Sequence, residues 1–269
     1  MEIQQVKLIY FSPTGTTQKI LESIAQGIGI EHVEHINLTL PADAHYAIPA
    51  FSNELVIIGA PVYGGRLPVE AIKRLQQLKA NKTLAVAVVV FGNREFEDSL
   101  LELKNLAVEL GFLPIAGGAF IGEHSFATKV LPIANGRPDN LDIKKAVEFG
   151  AKIKEKIAAL QSADQRLPLN IPGRFPYEGG VRPMTIAPLT NEDTCTVCGT
   201  CATVCPTAAI AINGRVTTTI DRCIRCCACI KSCPTDSRYW DDDMMKKITT
   251  WLNENCAQRK EPQTFLADI

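Results

Sequence analysis

Two cysteine runs carry the plainest chemistry in the sequence. "CTVCGTCATVCP", from Cys195 to Pro206, and "CIRCCACIKSCP", from Cys223 to Pro234, share the spacing C-x2-C-x2-C-x3-C-P. Thiolates are soft ligands, and triads at intervals of three residues suit iron–sulfur clusters. Zinc modules instead pair two C-x2-C units, so a doubled triad argues against zinc. Nine of the ten cysteines fall between Cys195 and Cys233 and none precedes Cys195, so the chain has two chemically different halves. Cys227 is surplus: taking it as a ligand in place of Cys226 would break both two-residue intervals, so its thiol is expected to point away from iron. Cys256 stands alone after the helical stretch "MMKKITTWLNEN" and reads as a partly buried free thiol.

The first half holds a different kind of site. In "IYFSPTGTTQKI" an apolar run ends in Ser12, Thr14, Gly15, Thr16 and Thr17 and passes straight into helix formers. Backbone N–H groups and hydroxyls there converge on the positive end of a helix dipole, which suits a phosphate. No Lys-Ser or Lys-Thr pair closes the loop and G-x-G-x-x-G is absent, so it is neither a P-loop nor a dinucleotide fingerprint. Ordinary helix capping would use the same hydroxyls, but four of them in six residues favour a monophosphate held by hydrogen bonds. A second loop, Gly59 to Pro68, sets Tyr63 beside Gly64 and Gly65, an aromatic ring able to stack on a flat heterocycle beside an accommodating backbone. A third, Phe91 to Asp98, adds backbone and amide groups.

The elements that must position these loops alternate in period. Apolar runs "VKLIYF", "HVEHINL", "ELVIIGA", "TLAVAVVVF" and "LPIAGGAFI" interleave with helical segments such as "TTQKILESIAQGI" and "DIKKAVEFGAKIKEKIAAL". Five strands alternating with helices imply an α/β fold with a parallel sheet covered on both faces. Ligands on such sheets sit at the carboxyl ends of strands, where all three loops fall. Residues 1–161 form this domain on the present reading, residues 162–190 a Pro/Gly-rich linker, 191–240 the cysteine domain, and 241–269 a C-terminal helix and tail. Five prolines and three glycines in "LPLNIPGRFPYEGGVRPMTIAP" argue for an extended connector.

With 46% hydrophobic and 21% charged residues the chain falls in the ordinary globular class. A net charge of −1 leaves no electrostatic footprint for nucleic acid or an anionic membrane. No apolar stretch is long enough to span a bilayer, and "MEIQQVKLIYF" is not a secretory signal, so the expected location is cytoplasmic.

The Ser12–Thr17 loop resembles the phosphate loop of flavodoxin, and each cysteine run resembles that of bacterial two-cluster ferredoxins. Together with "IGEHSF" and "GRPDNLD", nearly the whole chain resembles the fusion proteins of anaerobes called EFR1-type ferredoxins, a flavodoxin-like domain followed by a ferredoxin. The resemblance implies a flavodoxin-like, doubly wound, five-stranded parallel sheet with a small C-terminal bacterial-type 2[4Fe–4S] ferredoxin domain. It implies FMN, its phosphate held by Ser12, Thr14, Gly15, Thr16 and Thr17, and its isoalloxazine framed by Pro61, Val62, Tyr63, Gly64, Gly65, Phe91, Gly92, Asn93 and Arg94. Gly64 and Gly65 resemble positions where a peptide carbonyl turns toward the flavin. One [4Fe–4S] cluster would be bound by Cys195, Cys198, Cys201 and Cys233, the other by Cys223, Cys226, Cys229 and Cys205. Arg66 and Arg94 depart from the more acidic loops of ordinary flavodoxins and would place positive charge near the ring. The function implied is electron transfer between clusters and FMN, joining one- and two-electron steps. The other reading is an FMN-dependent reductase of a small substrate such as a quinone or flavin, fed by its own ferredoxin domain. Expected partners are redox proteins, a ferredoxin or a reductase, with a homodimer also compatible.

Overall fold

The computed structural model describes residues 3–41, 54–160, 168–181 and 184–268. The boundary placed at 161/162 lies outside the described residues. Strands β1 (Val6–Tyr10), β2 (Val33–Asn37), β3 (Leu55–Pro61), β4 (Thr83–Phe91) and β5 (Phe112–Ile121) alternate with helices α1 (Thr16–Ile28), α2 (Val69–Leu75), α3 (Ser99–Glu109) and α4 (Asn140–Ala159). The parallel strands run in the order β2-β1-β3-β4-β5, so the sheet reverses direction beside β1, the arrangement of flavodoxin-like folds. All nine residues of β4 are buried, as a strand covered on both faces requires. One apolar layer joins Ile20, Leu21 and Ile24 of α1 to Phe149 and Ile153 of α4; the opposite layer joins Ala71 and Leu75 of α2 to Leu100 and Leu103 of α3. Pro114 sits where the β4/β5 register slips at Ala85/Val86, so a residue without an N–H falls at an irregularity rather than in a regular ladder.

The cysteine half contains β6 (Leu189–Thr190), α5 (Thr200–Thr203), β7 (Ile210–Ile212), β8 (Val216–Thr218), a single 3-10 turn, α6 (Ala228–Lys231) and β9 (Arg238–Tyr239). β6 pairs with β9 and β7 with β8, both antiparallel. The chain then returns to the first half. Helix α7 (Asp243–Asn255) lays Leu252, with Cys256 just beyond it, against Ala127 and Ile133, and β10 (Gln263–Leu266) pairs antiparallel with β5. The sheet therefore has six strands: the five parallel ones expected, and an antiparallel edge supplied by what the sequence presents as a tail.

Candidate functional site

The phosphate loop opens at the carboxyl end of β1. Ser12 is buried and fixed at both ends: its N–H donates to Thr39 Oγ1 at 2.8 Å, and its Oγ accepts from Gln18 N–H at 3.1 Å. Gly15 stands at the helix start with φ of 79°, a conformation that costs glycine little. Among the described residues nothing accepts from the N–H groups of Thr16 and Thr17. Thr17 is 1% exposed, yet its Oγ1 has no hydrogen-bond partner. Donors without acceptors at a helix N-terminus, beside an orphaned hydroxyl, are what a bound phosphate would satisfy. Thr14 and Gly15 lie exposed beside it. The residues present therefore fit the FMN phosphate.

The second loop is a two-residue turn. Tyr63 N–H donates to Arg66 O at 2.9 Å, and Gly64 and Gly65 have φ of 59° and 83°, as a type I′ turn demands. Pro61 and Val62 are half-buried ahead of it, Val62 N–H donating to Val90 O at 3.0 Å. Tyr63 as a residue is half-buried, and its hydroxyl is buried toward the second cysteine run. Burial, then the thiols of Cys226, Cys227 and Cys223, hold that phenol well above its ordinary range. The turn's carbonyl is not free, because Gly64 O accepts from Gly180 N–H at 2.8 Å.

In the third loop the side chains make contacts within the protein. Phe91 is a core residue, 3% exposed, its ring tilted against that of Phe96 with centroids 5.6 Å apart. Asn93 is 1% exposed and turns its amide to the C-terminal segment, donating to Cys256 O and Gln258 O and accepting from Lys260 N–H. Gly92 lies against His124, whose ring would stand 2.4 Å from an added Cβ. Arg94 pairs with Glu97 at 2.8 Å and Arg66 with Glu102 at 2.9 Å, so each guanidinium carries a carboxylate partner. The side chains of Phe91, Asn93 and Arg94 thus serve packing, tail docking and a surface ion pair.

The cysteine runs form two cavities. One is lined by Cys205, Cys223, Cys226, Cys227 and Cys229, the other by Cys195, Cys198, Cys201 and Cys233. Among the described residues no three His, Cys, Asp or Glu side chains close on one ion. Each cavity takes one thiol from the opposite run, Cys205 in the first and Cys233 in the second, and Cys227 also lines the first. Backbone repeats with the sequence at an offset of 28 residues. Positive φ recurs at Val197 and Arg225, at Gly199 and Cys227, and at Ala208 and Asp236. Cys205 Sγ accepts from Ala209 N–H and Cys233 Sγ from Ser237 N–H, both at 3.2 Å. Cys227 therefore occupies the helix-capping position that Gly199 fills in the first run, and its Sγ accepts from Trp240 Nε1 at 3.3 Å. Burial pushes Cys226 up to about 12 and Cys229 up to about 11, so without metal these thiols keep their protons at neutral pH.

The cysteine half is seated on the sheet's carboxyl edge. Arg74 lies over the Phe11 ring and donates to Leu38 O, Thr39 O and Pro206 O. Lys231 binds Glu123 and Ala127 O, Phe126 meets Trp240 edge to face at 6.4 Å, and Ile224 packs on the apolar layer that holds Val62. Sequence reasoning missed these contacts because nothing in a lone Arg or Lys marks it as a bridge.

Residues 7–122 match the family model of the flavodoxin domain, and residues 188–211, which contain the first cysteine run alone, match that of the 4Fe-4S binding domain. No curated protein matches the chain. Among solved structures, the chain is similar to a flavin mononucleotide-bound flavodoxin from Fusobacterium nucleatum, at 18% identity over 57% of this chain and 99% of that one, TM-score 0.41. It is similar to a flavodoxin from the Archaea at 13% identity over 57% and 99%, TM-score 0.37. It is also similar to rubredoxin oxygen oxidoreductase from Desulfovibrio gigas at 16% identity over 58% of this chain but 37% of that one, TM-score 0.40. A flavodoxin domain followed in one chain by a 4Fe-4S binding domain is a flavodoxin–ferredoxin fusion. The class so defined is an electron-transfer flavo-iron–sulfur protein.

Proposed function

We propose that this chain holds one FMN at the carboxyl edge of its sheet and one [4Fe–4S] cluster in each thiol cavity, in the manner of the EFR1-type fusions, and relays electrons among them. Cys195, Cys198, Cys201 and Cys233 ligate one cluster, and Cys223, Cys226, Cys229 and Cys205 the other. When bound, the clusters supply one-electron and the flavin one- or two-electron chemistry, so their fusion joins the two. The Thr16 and Thr17 N–H groups and the Thr17 hydroxyl grip the phosphate, and Tyr63 borders the ring.

The observation that carries this reading is the position of Tyr63, on the second loop and with its hydroxyl buried within electrostatic reach of Cys226, Cys227 and Cys223. It favours the Cys205/Cys223/Cys226/Cys229 cavity as the one nearer the flavin. Cys198 of the other set is exposed, so a redox partner, a ferredoxin or a reductase, would meet the protein there. Among the described residues no helix is long and apolar enough to cross a membrane. Anaerobically purified protein should contain about eight irons, as many sulfides and one FMN per chain. Zinc in place of iron, or iron without flavin, would overturn the reading.

A further inference from the structure

The two repeats differ in charge at a buried position. At the offset of 28 residues Ile210 corresponds to Arg238. Ile210 is an apolar core residue of its repeat, as its position invites. Arg238 is 3% exposed and lines both thiol cavities. Its guanidinium donates to Thr190 Oγ1 at 2.6 Å and Thr218 Oγ1 at 2.9 Å, and Nη2 lies 3.9 Å from Cys229 Sγ. Its Nε is buried without an acceptor. Among the described residues no carboxylate pairs with it. Its charge reaches Cys201 in one set and Cys223 and Cys229 in the other.

A buried guanidinium without a counter-ion is costly, and hydroxyls relieve only part of that cost. The compensation lies in the cavities. Four thiolates outweigh the positive charge of a cubane core, so each loaded site is anionic and grows more so with every electron taken up. Resting on the two-cluster reading above, we infer that Arg238 is a shared positive anchor of both cluster sites, placed between them so that one charge favours the reduced form of each. An isoleucine in its place, the choice made in the first repeat, would leave both anionic sites without a buried cation. Charge and hydrogen bonding near the sulfurs are the means by which proteins set cluster potentials.

The test is a redox titration of the full-length, cluster-loaded protein followed by electron paramagnetic resonance, comparing wild type with Arg238→Met and Arg238→Lys. Arg238→Met should load both clusters and shift both midpoint potentials downward, while Arg238→Lys, which keeps the charge, should lie between. Unchanged potentials in Arg238→Met, or a shift in one cluster only, would overturn the shared role. Should Arg238→Met fail to take up iron, Arg238→Lys decides. Loading of both clusters in Lys shows that the charge is what the sites require, and equal failure in Lys would reduce Arg238 to a packing residue. Iron and sulfide contents of the wild type keep the two claims apart, since a wild type without two clusters defeats the reading beneath the proposal and not the role of Arg238 alone.

Discussion

At the residue scale, the phosphate cradle is marked by what Thr17 lacks. A buried hydroxyl without a partner is a small burden on the ligand-free fold and an asset only when an acceptor or donor arrives. Thr17→Val keeps the shape and removes that group, so the two effects should carry opposite signs. We expect the flavin-free protein to hold or gain stability, and FMN affinity to fall by about 1.5–3 kcal/mol, the worth of a hydrogen bond to a charged group. Calorimetric titration of FMN against both forms measures this, and equal affinities would remove Thr17 from the site. Cys226 and Cys227 make a second contrast. Cys227 holds a left-handed conformation, φ 60°, that a side chain adopts reluctantly and that Gly199 supplies in the first run. Cys227→Gly should therefore keep both clusters, whereas Cys226→Ala should lose the iron of one cavity. Iron falling only in the Cys227 variant would reverse the ligand assignment. The sequence already disfavoured Cys227 by spacing; the shared backbone conformation explains what the residue does instead.

At the scale of elements, the linker is tied down by polar contacts rather than by regular structure. Asp98 accepts from Arg174 N–H and Glu178 N–H, both at 2.8 Å, Asn105 donates to the Tyr177 hydroxyl, and Arg66 stacks on the Tyr177 ring. Burial pushes the Asp98 carboxyl up, but the two N–H groups outweigh it and hold it below the usual carboxylate range. Asp98→Ala should release residues 174–178 and, through Gly180, loosen the Gly64 turn, at a cost of about 1–3 kcal/mol. Faster amide exchange at Arg174 and Glu178 would report it; unchanged exchange would show the linker held by its aromatic residues alone. What the sequence displayed and what it hid divide along physical lines. Strands β1, β3, β4 and β5 are long apolar runs, and the thiol spacing is rigid, so both were legible. β10 is the four residues Gln263–Leu266, half polar, and it is a strand only because β5 offers a free edge, a fact that belongs to another part of the chain. The tail-docking contacts of Asn93 were hidden for the same reason, since its partners at Cys256, Gln258 and Lys260 are more than 160 residues away.

At the scale of the whole molecule, electron transfer between the halves depends on how firmly the cysteine half sits on the sheet edge, and His124 lies at that seam. It packs on Gly92, accepts from Phe126 N–H at 3.1 Å through Nδ1, and feels Arg94 from one side and Lys231 from the other. Burial first, then those two cations, push its imidazole down to about 4. The neutral ring is thus the form the folded protein prefers, while an unfolded chain protonates near 6.5. Its contribution to stability is complete above pH 6.5 and is lost as pH falls from there through about 4, because in that window the unfolded state binds the extra proton. Between pH 7 and 5 the loss should be on the order of 1–2 kcal/mol. Protonation would set an imidazolium beside Lys231, the residue that ties α6 to Glu123 and Ala127, so the seam should loosen before the sheet does. His124→Gln cannot gain that charge. Denaturant titrations of wild type and His124→Gln across this range isolate the term, since acid lability of the clusters is common to both proteins. The stability gap between them should change by 1–2 kcal/mol in favour of the variant on acidification, accompanied by faster amide exchange in α6 of the wild type. A pH-independent gap would place the acid sensitivity of the seam elsewhere.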